Sequence, residues 1–446
     1  MVGRGRGFME TVVDKELGVP RHVIVGASAA GLSAARELRS SGFSGDLTVV
    51  DRDRHSPYER PPLSKRLVPG TSPSLTPLIG DQNLRELDVE LIRGTGVRGL
   101  DLVRHRVELD DGQMLMADAV LLATGAQPLL LRVPGAQLEG VLALRDADDA
   151  WKLNEQLAAG GPLVVVGAGF IGLELASAAR DAGVRVTVVE RLAAPLAGTL
   201  GPQLSSWLLD LHRDHGVEVH LGVEVEAFAG RGHVEEVVLT GGRRLPAQTV
   251  VVGVGVEPRA GLARRAGLRC GDGIVVDGYG RTSDPWVFAA GDVACQPHPH
   301  LAAPGRIEHW DSALRHGAAV GATMAGRPTL HSAVPYFWSE QYGGVLQSYG
   351  RHRAEDDLVI RGAVNSGRAM AVWLRSGAPV ATAGFGAPRE IRAIKTMIEA
   401  RTPVTVAAIA DPMTDLRQLS SRAAECSSPP GATQYSPIRR NGHAGA

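Results

Sequence analysis

The sequence predicts an α/β chain with two Rossmann-like dinucleotide-binding domains and a smaller α+β domain after them. Three observations carry that reading. HVIVGASAAGLSAARELRSSGFSGDLTVVDRD, near the start, runs strand, small-residue turn, helix, strand. PLVVVGAGFIGLELASAARDAGVRVTVVER repeats the pattern from residue 162. From about residue 331 the pattern changes to short strands (PYFWSEQY, DDLVIRGAV, AMAVWLRSG, PVATAGFG) and then the helical PREIRAIKTMIEA.

The totals set the bounds. With 446 residues the chain holds two or three domains and a large core. A net charge of -1 argues against general nucleic-acid binding. No apolar run approaches the roughly 20 residues of a membrane span. The opening MVGRGRGFMETVVDKELGVP lacks an apolar core of signal-peptide length and reads as a disordered extension. Residues 421–446, rich in Ser, Pro and Gly, read as a disordered tail. Cys270, Cys295 and Cys426 are far apart and odd in number. They fit a reducing cytoplasm and exclude a disulfide framework or a CxxC site.

In the first copy a β-branched strand runs into a turn, and a helix with apolar residues at 3–4 spacing follows. Gly26, Ser28 and Gly31 occupy the three positions of a nucleotide-binding fingerprint, with Ser28 in place of the middle glycine and Ala29 and Ala30 between. Gly26 permits the tight turn, and Gly31 lets helix and strand approach. The helix N-terminus then offers free N–H groups to a pyrophosphate. An acid at the end of the second strand, Asp53 or Asp51, would hold ribose hydroxyls. Next comes SPYERPPLSK, a stiff charged elbow in which prolines fix φ, remove donors and push their predecessors toward extended geometry. Arg60, Pro61 and Lys65 stand within it.

The second copy keeps Gly167, Gly169 and Gly172, with Phe170 and Ile171 inside the motif and Glu190 ending the next strand. A carboxylate there accepts hydrogen bonds from an adenosine ribose and repels a 2′-phosphate, which favours NADH over NADPH. Arg191 beside it works against that preference. LLATGAQP (Thr124, Gly125) and VVGVGVEP (Gly253, Gly255) look like crossings between domains. RTSDPWVFAAGDVA reads as a turn, a short buried strand and then Gly291-Asp292. Two cradles in one chain suggest two dinucleotides.

The ordered set GASAAGL, SPYERPPLSK, LLATGAQP, VVVGAGFIGLELA, VFAAGDVA, IEHWDSALRHGAAVGATMAG and ADPMTDLRQL resembles the oxygenase-coupled NADH–ferredoxin reductases over roughly residues 21 to 420. These are glutathione-reductase-like flavoproteins. The resemblance implies an FAD-binding domain from residues 21–125 and 252–330, an NAD-binding domain over 126–251 and a C-terminal α+β domain over 331–420, flanked by the extension 1–20 and the tail 421–446. It implies that the elbow lines the flavin with Arg60, Pro61 and Lys65 against the cofactor, that Asp292 reaches the ribityl chain, and that Lys65 pairs with Glu174 beneath the flavin N5 edge as the catalytic pair. Glu308, His309, Trp310, Phe337 and Trp338 resemble positions on or near the flavin face. Two departures stand out. Leu129 replaces a common arginine, leaving Arg132 as a substitute or a phosphate contact missing. Tyr342-Gly343-Gly344 stands where acidic and apolar residues are usual, which bears on partner preference.

The implied activity is hydride transfer from NADH to FAD, then single electrons to an iron–sulfur ferredoxin serving a cytochrome P450 or a Rieske-type ring-hydroxylating dioxygenase. Such chemistry needs rings held in near-attack geometry with water excluded. The rivals are an NADH-dependent flavin reductase or oxidase with a small acceptor, and a redox-sensing flavoprotein like apoptosis-inducing factor. Disulfide reductases of this architecture need paired cysteines beside the flavin, and none of the three cysteines sits so; Cys295 reads as structural. His298 and His300, in CQPHPHLAAP, read as solvated rather than metal-bound.

Overall fold

The computed structural model describes residues 19–419; the expected extension and tail, with Cys426, lie outside the described residues apart from Val19 and Pro20. Two compact units emerge. One takes the chain up to Pro195 and Leu209–Gly343, the other Leu196–Leu208 and the chain from Gly344 on.

The first unit holds two five-stranded parallel sheets. In the first sheet the strands run Val287–Ala289, Ala119–Leu122, Arg21–Val25, Asp46–Asp51, Glu90–Arg93. Strands buried on both faces read as near-continuous apolar runs. Accordingly AVLL at Ala119–Leu122 is buried throughout. The outermost strand returns from beyond the second sheet, so the first sheet is built from distant stretches of chain. The second sheet runs Glu218–Leu221, Val186–Glu190, Leu163–Val166, Thr249–Val252, Val141–Leu142. Its central LVVV and TVVV are again fully buried. An antiparallel ribbon, Ala126–Pro128 against Val256–Pro258, carries the two crossings.

Each central strand feeds a helix, Ala29–Ser40 or Phe170–Asp181. Helix Trp310–Met324 packs on the first of these. Strand Tyr336–Gln341, grouped by sequence with the C-terminal domain, belongs to the first unit and packs on helix Phe170–Asp181. In the second unit, antiparallel strands lie in the order Gly344–Gly350, Ala378–Phe385, Arg368–Arg375, Asp357–Ala363. Helix Pro388–Ala400 covers them with Ile391, Ile394, Met397 and Ile398. The buried Arg361 guanidinium donates to the carbonyls of Ile409, Asp411, Pro412 and Thr414, which fastens the last described segment. Among the described residues no helix is long and apolar enough to cross a membrane.

Candidate functional site

Both glycine turns are built by the same contacts. Gly26 and Gly167 adopt φ of 111° and 107°, a region that favours glycine. A Cβ at Gly26 would lie 2.4 Å from Ala123 O and one at Gly167 2.3 Å from Gly253 O, carbonyls one residue past the neighbouring strands. A Cβ at Gly31 or Gly172 would lie 1.8 or 2.1 Å from the carbonyl of Gly26 or Gly167. The strand-ending acids are equivalent as well. Ala27 N donates to Asp51 Oδ2 (2.5 Å), and Ala168 N donates to Glu190 Oε2 (2.8 Å). Asp53, the other first-sheet candidate, accepts from the Tyr58 hydroxyl (2.9 Å) and the His55 N–H (3.0 Å).

One cavity of about 1110 Å³ joins these parts. It exceeds the roughly 300–1,000 Å³ of ordinary small-molecule sites. Every candidate residue lines it except Gly31, Gly167 and Glu190: Gly26, Ser28, Ala29, Ala30 and Asp53 in the first cradle, Arg60, Pro61 and Lys65 in the elbow, Thr124, Gly125 and Gly255 at the crossings, Gly169, Phe170, Ile171, Gly172 and Glu174 in the second cradle, then Gly291, Asp292, Glu308, His309, Trp310, Phe337 and Trp338. Gly31 and Gly167 are spent on packing instead, and Glu190 grips its own turn.

The elbow resolves into a short 3-10 turn, Pro61–Ser64, where prolines at the start forfeit only donors that a helix end leaves unused. Tyr58, buried, pins it: its hydroxyl accepts from Ala147 N (2.9 Å) while donating to Asp53. Behind the turn Lys65 Nζ donates to Glu174 Oε2 (2.9 Å), with side chains only 10% and 4% exposed. Lys65 Nζ also donates to Pro61 O and lies 5.7 Å from the Trp338 ring centre. Ser64 donates to Glu174 as well. Phe337 tilts against Phe170 and His309, with ring centres 4.6 and 4.9 Å apart.

Charge on the walls was only partly legible in sequence. Arg145 donates to Asp292 Oδ2 (3.2 Å), and Arg306 donates to the Asp292 carbonyl and to Glu308. Burial raises the Glu308 carboxyl above its usual range, against the pull of Arg306. Arg259 N donates to Gly125 O, and Thr124 donates to Arg259 O, so the crossings hold Arg259 at the cavity. Burial, then the neighbouring Arg52, Arg60 and Arg145, lower its guanidinium to about 10. Arg145 stands just before the N-cap Asp146 of helix Ala147–Ala158, and Arg259 directly follows VVGVGVEP. Adjacency to VVGVGVEP was the available signal for Arg259; Arg145 had none. Leu129 lies over Gly255 and is 38% exposed. Gly291–Val293 forms a 3-10 turn. Gly291 N donates to His316 Nδ1 (3.2 Å).

His298 corrects one expectation. It is buried at 7% exposure, its ring 4.9 Å from that of His331, which stacks on His316. The His298 side chain turns inward while Pro297, Pro299 and residues 302–304 of the same loop stay exposed. Among the described residues no cluster of His, Cys, Asp or Glu could hold a metal ion. Cys270 and Cys295 are free thiols whose pKa burial raises, and neither lines the cavity.

Comparison with known proteins places this geometry. Residues 20–317 match the pyridine nucleotide-disulphide oxidoreductase model, and 336–420 match the reductase C-terminal model. The chain is 36% identical to the ferredoxin reductase component of chlorobenzene dioxygenase from Cupriavidus sp. (strain PS12), over 89% of this chain and 96% of that one. It is 38% identical to rhodocoxin reductase from Rhodococcus erythropolis, over 90% and 94%. The covalent putidaredoxin reductase–putidaredoxin complex superposes with a TM-score of 0.87 at 32% identity, covering 91% of this chain and 99% of that one. The chain belongs to the pyridine nucleotide-disulphide oxidoreductase family, among its ferredoxin reductases.

Proposed function

We propose that the protein is an FAD-dependent NADH:ferredoxin reductase that supplies electrons to an oxygenase, either a cytochrome P450 or a ring-hydroxylating dioxygenase. The observation supporting it most is the single cavity whose wall carries the first glycine turn, the proline elbow and the second-cradle helix start. The residues fit a flavin dinucleotide. Arg52, Arg60 and Arg145 bear on Arg259 at the wall, and an anionic pyrophosphate would relieve that repulsion.

Bound FAD would supply hydride acceptance from NADH and one-electron delivery to an iron–sulfur partner. In this proposal the N–H groups at the start of helix Ala29–Ser40 hold its pyrophosphate, with Arg145 and Arg259 beside them. Asp51 or Asp53 takes the ribose, and Asp292 the ribityl chain. The second cradle, with Gly167, Gly169, Gly172 and Glu190, holds NADH. Trp310, Phe337 and Trp338 exclude water from the reacting rings. Lys65, held by Glu174, directs a positive charge at the flavin edge. A buried ion pair seldom adds net stability, so its retention calls for such a use. The proposed compartment is the cytoplasm, on the strength of the sparse, odd-numbered cysteines.

Purified protein is expected to carry FAD, to be reduced faster by NADH than by NADPH, and to reduce an iron–sulfur ferredoxin. A colourless polypeptide that refuses FAD on reconstitution overturns the reading. Fast oxygen consumption without ferredoxin reduction replaces it with an oxidase. A long-lived reduced flavin–NAD complex that passes electrons to no ferredoxin replaces it with a sensor.

A further inference from the structure

We propose that Tyr342, His212, Gln341 and Ser339 form a one-directional hydrogen-bond chain that positions Glu174, and through it Lys65, at the edge of the cavity. The inference rests on the reading of that cavity as a flavin site.

The direction follows from its last member. A carboxylate accepts only. Glu174 Oε2 is met by Lys65 and Ser64, and Oε1 by Ser339 Oγ at 2.7 Å. Ser339 has therefore committed its one proton, and its oxygen accepts from Gln341 Nε2 (2.9 Å). That orients the amide with Oε1 toward His212 Nε2 (2.7 Å), so the proton of that ring sits on Nε2. His212 Nδ1 is left as an acceptor, and the Tyr342 hydroxyl donates to it (2.9 Å). Every donor thus points toward Glu174.

The surroundings keep that order. Ser339 and His212 are 0% exposed and Gln341 3%. Burial pulls the His212 pKa down to about 4, so the ring stays neutral and keeps a free acceptor. Tyr342 is clamped at the far end: its ring stacks on His215 at 3.7 Å, and its N–H donates to Ser177 Oγ (2.8 Å), three residues past Glu174 on the same helix. Bonds aligned head to tail in a dry interior polarise one another. Lys65 gives one N–H to Glu174 and one to Pro61 O, which leaves a third for the cavity. Fixing the carboxylate thereby fixes where that third donor points. Tyr342, His212, Gln341 and Ser339 are positioning residues; none of them lines the cavity.

Two measurements test this. The first needs no flavin: nitrogen NMR of ¹⁵N-histidine-labelled full-length protein, with and without FAD. His212 is expected as one neutral tautomer protonated on Nε2. A proton on Nδ1, or a charged ring at neutral pH, overturns the order. The second reads the midpoint potential of bound FAD. Removing a donor leaves more uncompensated negative charge beside the flavin, so Ser339→Ala is expected to lower the potential, with flavin content unchanged. Ser339→Thr is expected to restore it, and Tyr342→Phe to give a smaller shift of the same sign. A Ser339→Ala potential equal to the unaltered one, or no rescue by threonine, overturns the positioning role. If the unaltered protein takes up no FAD, the flavin reading fails, while the His212 measurement still decides the chain.

Discussion

The two glycine turns share a skeleton and differ at its middle position. Gly26 and Gly167 need positive φ, and Gly31 and Gly172 have no room for a Cβ. The middle residues face neither demand. Ser28 has φ −95° and Gly169 φ −75°, both open to any residue, and nothing lies within 4 Å of a Cβ built on Gly169. The outer glycines answer to the fold and the middle one answers only to what approaches the turn. A serine there leaves the turn intact and alters only the ligand's entrance.

The sharpest way to break this equivalence is a Cβ at the third glycine. Gly31→Val and Gly172→Val each drive a side chain into the carbonyl of the glycine that opens its own turn. Each is expected to destabilise the first unit by about 3 kcal/mol or more, as overpacking at backbone does. Urea unfolding of both variants checks it. Tolerance at one site alone would show that the two turns are not equivalent.

A second large effect separates the surroundings of the two turns. Beside the first, Gly291 leans on His316, which stacks on His331, with His298 against that ring. Burial is the main cause lowering all three, to about 4 for His298, 3 for His316 and 2 for His331. The unfolded chain takes up these protons near pH 6.5 and the folded one refuses them. Stability is therefore full above pH 6.5 and lost as pH falls, down to about 4 for His298, 3 for His316 and 2 for His331. The slope approaches about 1.4 kcal/mol per pH unit for each such histidine. Unfolding free energies at pH 7.5, 6 and 5 measure it; His22 and His212, also lowered to about 4 by burial, add to the same slope, so His316→Asn is expected to remove about a fifth of it. A flat profile would mean that the cluster is hydrated or charged.

Neutralising the matched acids tells the cradles apart by cofactor. Glu190→Gln is expected to raise the KM for NADH about tenfold, roughly 1.4 kcal/mol, and to narrow the preference over NADPH. Flavin content stays constant. Asp51→Asn is expected to weaken FAD retention by a similar factor without changing the KM for NADH. If each substitution moves both quantities, the turns do not serve separate dinucleotides.

What sequence made legible follows from how the contacts are spaced. Turn glycines, strand-ending acids and the proline elbow lie within one βαβ unit or just beyond it, where fixed spacing reflects fixed geometry. Lys65 and Glu174 were reachable only through resemblance, since no period links residues 109 positions apart. Ser339 stands 165 positions from Glu174, and His212 129 from Gln341; a serine and a glutamine in a strand carry no signal of their own. His298 misled because proline-rich loops usually face solvent, and tertiary packing overrode composition.

The smallest expected effect is also the most direct test of the opening comparison. Ser28→Gly should leave stability within a few tenths of a kcal/mol. Glycine is nearly as good an N-cap as serine, and the Ser28 side chain makes no capping hydrogen bond to lose. Its reciprocal, Gly169→Ser, should fold equally well because the site is open. Ligand affinity is where the two part. A serine in the second turn stands where a pyrophosphate must approach the helix N-terminus, so Gly169→Ser should raise the KM for NADH severalfold. Ser28→Gly should leave FAD affinity unchanged or slightly tighter. Thermal unfolding and NADH titration of the two variants separate these outcomes. A stability loss above about 1 kcal/mol in either would show that the middle position serves the fold after all.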